Sequence, residues 1–213
     1  MQFKYMSITL KVDDAINWLN NQPNNTISNF VTGICDMNEI KTNSIDEYLK
    51  FFESVVNLIF DKVDPNGYAI FIQTDRKHNK TWVDKSFIIS KIAYSKGFKM
   101  VWHKIVLHRD VNKTNLFRPT YAHMLCYTVN GKPGSATPDV IPVSKTIYCN
   151  ATPIRAVEIA CEFIKQYSPG LFIADPFVGR GTTVNVAQQM GIDSVGIDID
   201  PKQIAIIKKN LKR

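Results

Sequence analysis

Leu171-Phe172-Ile173-Ala174-Asp175-Pro176-Phe177-Val178-Gly179-Arg180-Gly181-Thr182-Thr183 is the stretch whose reading decides the fold. An apolar run ends in an acid, passes through a Gly-x-Gly turn and opens into a helical pattern. A second apolar run, Val195-Gly196-Ile197-Asp198, again ends in an acid. The second acid lies about 20 residues beyond the glycines, the spacing of a nucleotide-binding βαβ unit. Glycines let the backbone pass close to a ligand where a Cβ would clash. The second strand delivers a carboxylate that can accept both hydroxyls of a ribose. The bland alternative is a plain strand-turn-helix with no ligand.

The turn also says which nucleotide to expect. A dinucleotide site keeps a third glycine and sets a pyrophosphate on the helix N-terminus. Val184 stands at that third position, and no Lys follows Gly181 as a phosphate-cradling loop requires. A fold that holds adenosine without phosphates fits better, which points to S-adenosyl-L-methionine.

Outward from this stretch, strands and helices alternate at short spacing. Strands are expected over 6–12, 27–32 and 68–73. Helices are expected over 14–20 behind Asp13, from Ser44 to a stop at 64–67, and from Asp84 to about Lys96. Two runs, 99–108 and 121–129, read as an antiparallel pair joined by the basic loop 109–118. Residues 74–80 read as a polar loop and 130–146 as an exposed connector rich in Pro and Gly. Thr152-Pro153 reads as an N-cap and N1 pair opening a helix to Gln166, and a last helix begins at Pro201. The architecture expected is an α/β fold, one mostly parallel sheet with an antiparallel edge hairpin and helices on both faces. Its ligand belongs at the C-terminal ends of the strands.

The chain has 213 residues, enough for one large domain. No apolar run approaches the roughly 18 residues that a membrane span needs, and residues 1–5 lack a signal-peptide core. Cys35, Cys126, Cys149 and Cys161 are scattered with no Cys-x-x-Cys pair. They read as reduced thiols in an intracellular protein, of cytoplasm or nucleus, and no metal site is expected. The formal charge is +7, and residues 76–118 alone carry +9. A concentrated basic segment suits a polyanion. Arg76, Arg109, Lys113 and Arg118 are its candidate phosphate contacts, with a solvated surface as the alternative.

Taken together, these residues resemble the beta-class amino methyltransferases, circularly permuted enzymes that methylate exocyclic amines of adenine or cytosine in DNA. Asp-Pro-Phe-Val-Gly-Arg-Gly-Thr-Thr (175–183) and Gly-Ile-Asp-Ile-Asp (196–200) look like the cofactor motif. Asn150-Ala151-Thr152-Pro153 sits where the family keeps a further cofactor contact, and 117–127 resembles its penultimate strand. The resemblance is specific over 175–200 and loose before 140. It implies a Rossmann-like methyltransferase fold in permuted order, with a catalytic half at 1–140 and an S-adenosyl-L-methionine half at 141–213. It further implies that Asp175, Phe177, Gly179, Gly181, Thr182, Thr183 and Thr152 line the cofactor site and that Asp198 holds the ribose.

The departure lies in the catalytic motif. The family carries Asp, Asn or Ser, then two prolines, then an aromatic, after the strand that here ends at Thr32. This chain reads Gly33-Ile34-Cys35-Asp36. Asp36, with Cys35 beside it, is a catalytic candidate, a carboxylate able to accept a proton from an amine or ring nitrogen. Asp75, at the end of the next strand, is a second. Alternatively the site is disabled. Three readings follow: a methyltransferase of RNA or DNA bases, a non-catalytic cofactor-binding subunit, or a methyltransferase of a protein or small molecule. A homodimer or a partner subunit is compatible with each.

Overall fold

The computed structural model describes residues 7–116, 118–148 and 151–211. Residues 1–6, Phe117, Cys149 and Asn150, which the sequence reading also used, lie outside them. The chain opens with β1 (Ile8–Val12), α1 (Ala15–Asn20), β2 (Ile27–Thr32), α2 (Ile45–Lys62) and β3 (Val63–Gln73). A small hairpin, β4 (Arg76–His78) and β5 (Thr81–Val83), precedes α3 (Lys85–Ser95). β6 (Lys99–Leu107), β7 (Tyr121–Thr128) and the short β8 (Val140–Ile141) follow. The chain ends with α4 (Ile154–Tyr167), β9 (Phe172–Asp175), α5 (Thr182–Met190), β10 (Asp193–Asp198) and α6 (Pro201–Asn210).

One eight-stranded sheet runs β1-β10-β9-β2-β3-β7-β6-β8 through both halves of the sequence. β7 is the strand that runs against its neighbours, pairing antiparallel with β3 and β6. β2, at the centre, joins the two layers. Its residues alternate between two cores, Phe30 with the helices α1, α2 and α3 and Val31 with α4 and α5. Both side chains are fully buried, and truncating either to Ala would cost about 2–5 kcal/mol. α2 is set by Ser44, whose hydroxyl accepts the Glu47 N–H at 3.3 Å, with Asp46 and Glu47 in its first turn and Lys62 in its last.

Connections alternate sides at one place. β9 leads through α5 outward to β10, and β2 leads through α2 the other way to β3, so β9 and β2 flank a topological switch point. The loops after β2, β3, β6, β8, β9 and β10 all emerge at this edge of the sheet, because those strands run parallel.

Several sequence expectations are corrected. The polar loop 74–80 contains most of the β4–β5 hairpin, and Lys77 lies over the Trp82 ring at 5.6 Å. The connector 130–146 contributes β8, parallel to β6, so the β6–β7 pair is covered and is not the edge of the sheet. Lys104 explains that docking: its buried ammonium donates to the Thr137 and Pro138 carbonyls at 3.3 and 2.8 Å. The helix from Ser44 does stop before 64–67, but the strand expected from Tyr68 already begins at Val63. Asp14, not Asp13, caps α1, and α4 starts at Ile154 behind Pro153, with no side-chain cap from Thr152.

Candidate active site

The cleft lies at the switch point. Thr32 and Gly33 from the end of β2, Ile72 of β3, Tyr148, Thr152, Asp175, Phe177, Val178, Thr182 and Thr183 enclose about 380 Å³, open solvent included. Asp175 ends β9 at its floor. Its Oδ1 accepts from the Thr32 hydroxyl at 2.7 Å and from the Phe177 N–H at 3.1 Å. Burial pushes the Asp175 carboxyl up to about 6, against the hydrogen bonds of Thr32, Thr183 and the Phe177 N–H. Among the described residues no cation pairs with it. A buried carboxylate without a counter-charge is costly unless a ligand supplies one.

Asp198 lies at the end of the neighbouring strand, and its two oxygens accept the N–H groups of Gly179 (3.0 Å) and Asp200 (2.8 Å). The acid is thereby aimed and leaves lone pairs free for hydroxyl groups. Gly179 takes φ +53°, which allows this turn. Gly181 has a different task from the one its motif suggests. It caps α5 at φ +88°, and a Cβ there would meet Ile207 of α6 at 2.9 Å. Its missing side chain seats α6 against the loop; it does not line the cleft. Phe177 both lines the cleft and packs on Phe51 edge to face, centroids 6.3 Å apart.

Three of the predicted catalytic and phosphate-binding residues, Asp36, Arg76 and Arg118, form one cluster with Lys85. Asp36 Oδ1 meets Arg76 at 3.2 Å, Lys85 at 3.4 Å and the Met37 N–H at 2.9 Å, and Oδ2 meets Arg118 at 3.0 Å. Lys85 is 2% exposed in its side chain, beneath the cluster and over the Tyr48 and Phe52 rings. Burial alone would raise the Asp36 pKa; Lys85, the Met37 N–H, Arg118 and Arg76 outweigh it and hold the carboxyl below its ordinary value. Asp36 therefore stays ionised, and it is not among the residues that line the cleft. Cys35 is a neutral thiol, pushed up to about 12 by burial and by Glu39.

Asp75 is buried and satisfied. It accepts the Lys85 and Ser86 N–H groups (2.9 and 3.4 Å), Trp82 Nε1–H (2.9 Å) and His123 Nε2 (3.1 Å). Burial raises its pKa, and the His123 and Trp82 hydrogen bonds more than reverse this. It fixes the start of α3 together with the cap Asp84, whose Oδ1 accepts the Phe87 N–H at 2.8 Å.

The basic segment is less of a surface than its sum suggests. Lys85 and Lys104 point inward, Lys96 pairs with Asp61 at 2.6 Å, and Arg76 and Arg118 are engaged by Asp36. Arg109 and Lys113 remain exposed on the loop after β6. Sequence reading missed Tyr148, Thr32 and Gly33 as cleft residues. Ile199, directly after Asp198, is 70% exposed and does not line the cleft.

Residues 154–209 match the family model for DNA methylases. The match spans about a quarter of the chain. A curated relative, the Type II methyltransferase M.MjaII of Methanocaldococcus jannaschii, is 42% identical over 52 residues, 24% of this chain and 10% of that protein. The chain spans about a tenth of the length of that relative. The fold likeness extends to the whole chain. The Thermus thermophilus protein TTHA0409, assigned as a DNA modification methylase and solved with S-adenosyl-L-methionine, superposes with a TM-score of 0.74 at 16% identity, over 97% of this chain and 95% of that one. The cytosine-N4-specific PvuII DNA methyltransferase gives 0.74 at 14% identity, over 96% and 88%. The M1.HpyAVI–SAM complex gives 0.67 at 17% identity, over 97% and 100%. The chain thus shares the Rossmann-like α/β fold of these structures, with the segment that matches the family model last. Among the described residues, no helix is long and apolar enough to cross a membrane.

Proposed function

We propose that the chain is an S-adenosyl-L-methionine-dependent N-methyltransferase acting on a base in DNA, a single domain with its acceptor half at 1–140 and its donor half at 141–213. The observation that carries this reading is Asp175, a buried carboxylate at the cleft floor with no cation of its own among the described residues. The donor's ammonium is the missing counter-charge. Thr182, Thr183 and the free N–H groups at the start of α5 suit its carboxylate. Asp198 accepts the ribose hydroxyls, and Ile199 offers an apolar platform for the adenine. The family of residues 154–209 favours DNA over RNA.

The bound donor supplies a methyl already activated on a sulfonium. The protein has only to align donor and acceptor, exclude water and receive a proton. Gly33 and Thr32 line the place where an acceptor nitrogen meets the methyl. Gln73 locks the backbone beyond it, accepting the Ile34 N–H at 2.9 Å and donating to the Ile34 carbonyl at 3.2 Å. Of Asp36, Cys35 and Asp75, Asp36 is the one suited to the acceptor. Its Oδ2 meets only Arg118 among the described residues, so it can accept a hydrogen bond and orient the amine. Held ionised, it passes the released proton on to water and does not keep it. Asp75 and Cys35 shape the site and take no proton.

The test is incubation with methyl-labelled donor and separate pools of genomic DNA, total RNA and protein extract. Label in the DNA pool is expected; label in none removes the enzyme reading. A specific observation favours a second reading, a donor-binding subunit without activity: Gly33 offers no side-chain acceptor and the Ile34 carbonyl is already engaged. Donor binding without transfer to any pool would establish it.

A further inference from the structure

The loop 108–120 carries two of the most exposed apolar side chains of the chain, Val111 at 73% and Leu116 at 84%. It is a built loop. Its base is closed by the His108 N–H donating to the Thr120 carbonyl at 2.8 Å, and Thr74 meets the His108 ring at 3.2 Å. Asp110 turns the tip, accepting the Asn112 and Lys113 N–H groups at 2.9 Å each. Lys77 donates to the Asn115 carbonyl at 3.5 Å, and Arg118 ties the far end to Asp36 beside the cleft. Among the described residues, neither Val111 nor Leu116 joins a hydrophobic cluster. Around them stand Arg109, Lys113 and Arg118 against the single acid Asp110.

A base stacked in a duplex cannot bring its amine into a cleft at the edge of a sheet. It has to leave the stack, and the gap has to be stabilised. Apolar side chains flanked by cations do this elsewhere: the cations take phosphates and the wedge takes the unstacked step. Resting on the proposed action on DNA, we infer that loop 108–120 is a wedge for duplex DNA. Val111 and Leu116 enter the stack beside the extruded base, and Arg109 and Lys113 hold the flanking phosphates. Charge complementarity and the loop's emergence at the sheet edge that bears the cleft select this occupant over an apolar protein surface.

The experiment compares the wild-type protein with the double variant Val111→Ser/Leu116→Ser. Both residues are exposed, so the variant should melt within about 1 °C of the wild type. Labelled methyl transfer is measured on genomic DNA as duplex and after heat denaturation. The wedge predicts at least about a tenfold loss on the duplex and under about twofold on the single strands. An equal loss on both, or none, overturns it. Unwinding of a closed plasmid, read after topoisomerase I relaxation, gives an answer without transfer or a known target site. The wild type is expected to shift the linking number and the variant not. Absence of a shift with the wild type overturns the wedge, whereas absence of label from all DNA overturns the proposed activity; the two failures are distinguishable.

Discussion

Two carboxylates stand at the same edge of the sheet, Asp175 at the end of β9 and Asp36 in the loop after β2, and their surroundings are opposite. Asp175 is buried with hydroxyl and amide donors but, among the described residues, no cation, and its pKa is raised to about 6. Asp36 is met by three cations, and its pKa is lowered. The first acid has no counter-charge among the described residues, and under the proposed function the donor supplies one. The second is paired by the fold through both oxygens, with room on Oδ2 for the acceptor under the same proposal. An acid at this edge of the sheet is therefore not one kind of residue: its neighbours decide whether it lacks a cation or holds several.

The largest effect expected from this contrast is on stability at Asp36. Asp36→Ala strands the buried Lys85 and frees Arg76 and Arg118, and should cost about 2–3 kcal/mol. That is a fall in melting temperature of about 5–10 °C. Adding Lys85→Met should recover part of it, because the unpaired buried charge is then gone. Equal melting of Asp36→Ala and wild type would remove the hub role.

Asp175→Asn should behave the other way. The apo variant melts no lower than wild type at pH 7, since a buried uncompensated charge is removed. Its affinity for the donor, measured by calorimetry, falls about 10–100-fold, because the amide cannot make the charge-assisted hydrogen bond. A variant that lost stability without losing affinity would exchange the roles of the two acids.

Gly181→Ala should cost about 1–2 kcal/mol by thermal melting, from its left-handed φ of +88° and the close approach of Ile207. A neutral result would mean that α6 does not pack on the loop as described.

The smallest effect is the pH dependence, and its sign separates the acids. Asp175 has a folded pKa above its ordinary 3.8, so the folded state takes up a proton between about 6 and 3.8, and stability from this group rises as pH falls through that window. Asp36 is lowered, so its contribution is present above its unfolded value and is lost as pH falls below it. Melting curves of the two single variants against wild type, from pH 7 down to 3, should diverge in these opposite directions.

The segment 171–200 was legible because its physics is local. A glycine turn, a following helix and a second acid 19 residues beyond Gly179 lie in one short segment, and Asp175, Phe177, Thr182 and Thr183 line one cleft. Thr152 is also there, although it does not cap α4. Residues 1–140 were less legible because their contacts cross long stretches of sequence. Nothing near Asp36 in the chain announces Arg118, and nothing near Lys104 announces the carbonyls at 137 and 138. Summed charge over 76–118 treated buried and paired cations as surface. β8 was hidden by its length of two residues and by the prolines and glycines around it. Gly181 was assigned to the ligand because its motif fits both uses; only the position of Ile207 decides between them.

The central claim is that the ionised carboxylate of Asp175 is the counter-charge of an incoming S-adenosyl-L-methionine. Calorimetric titration of that ligand into the full chain at pH 5 to 8, in buffers of different ionisation enthalpy, tests it directly. Binding should weaken by up to about tenfold per unit below pH 6, with close to one proton released per ligand near pH 5, and both features should vanish in Asp175→Asn. Binding that is unchanged by the substitution and releases no proton at pH 5 would contradict it.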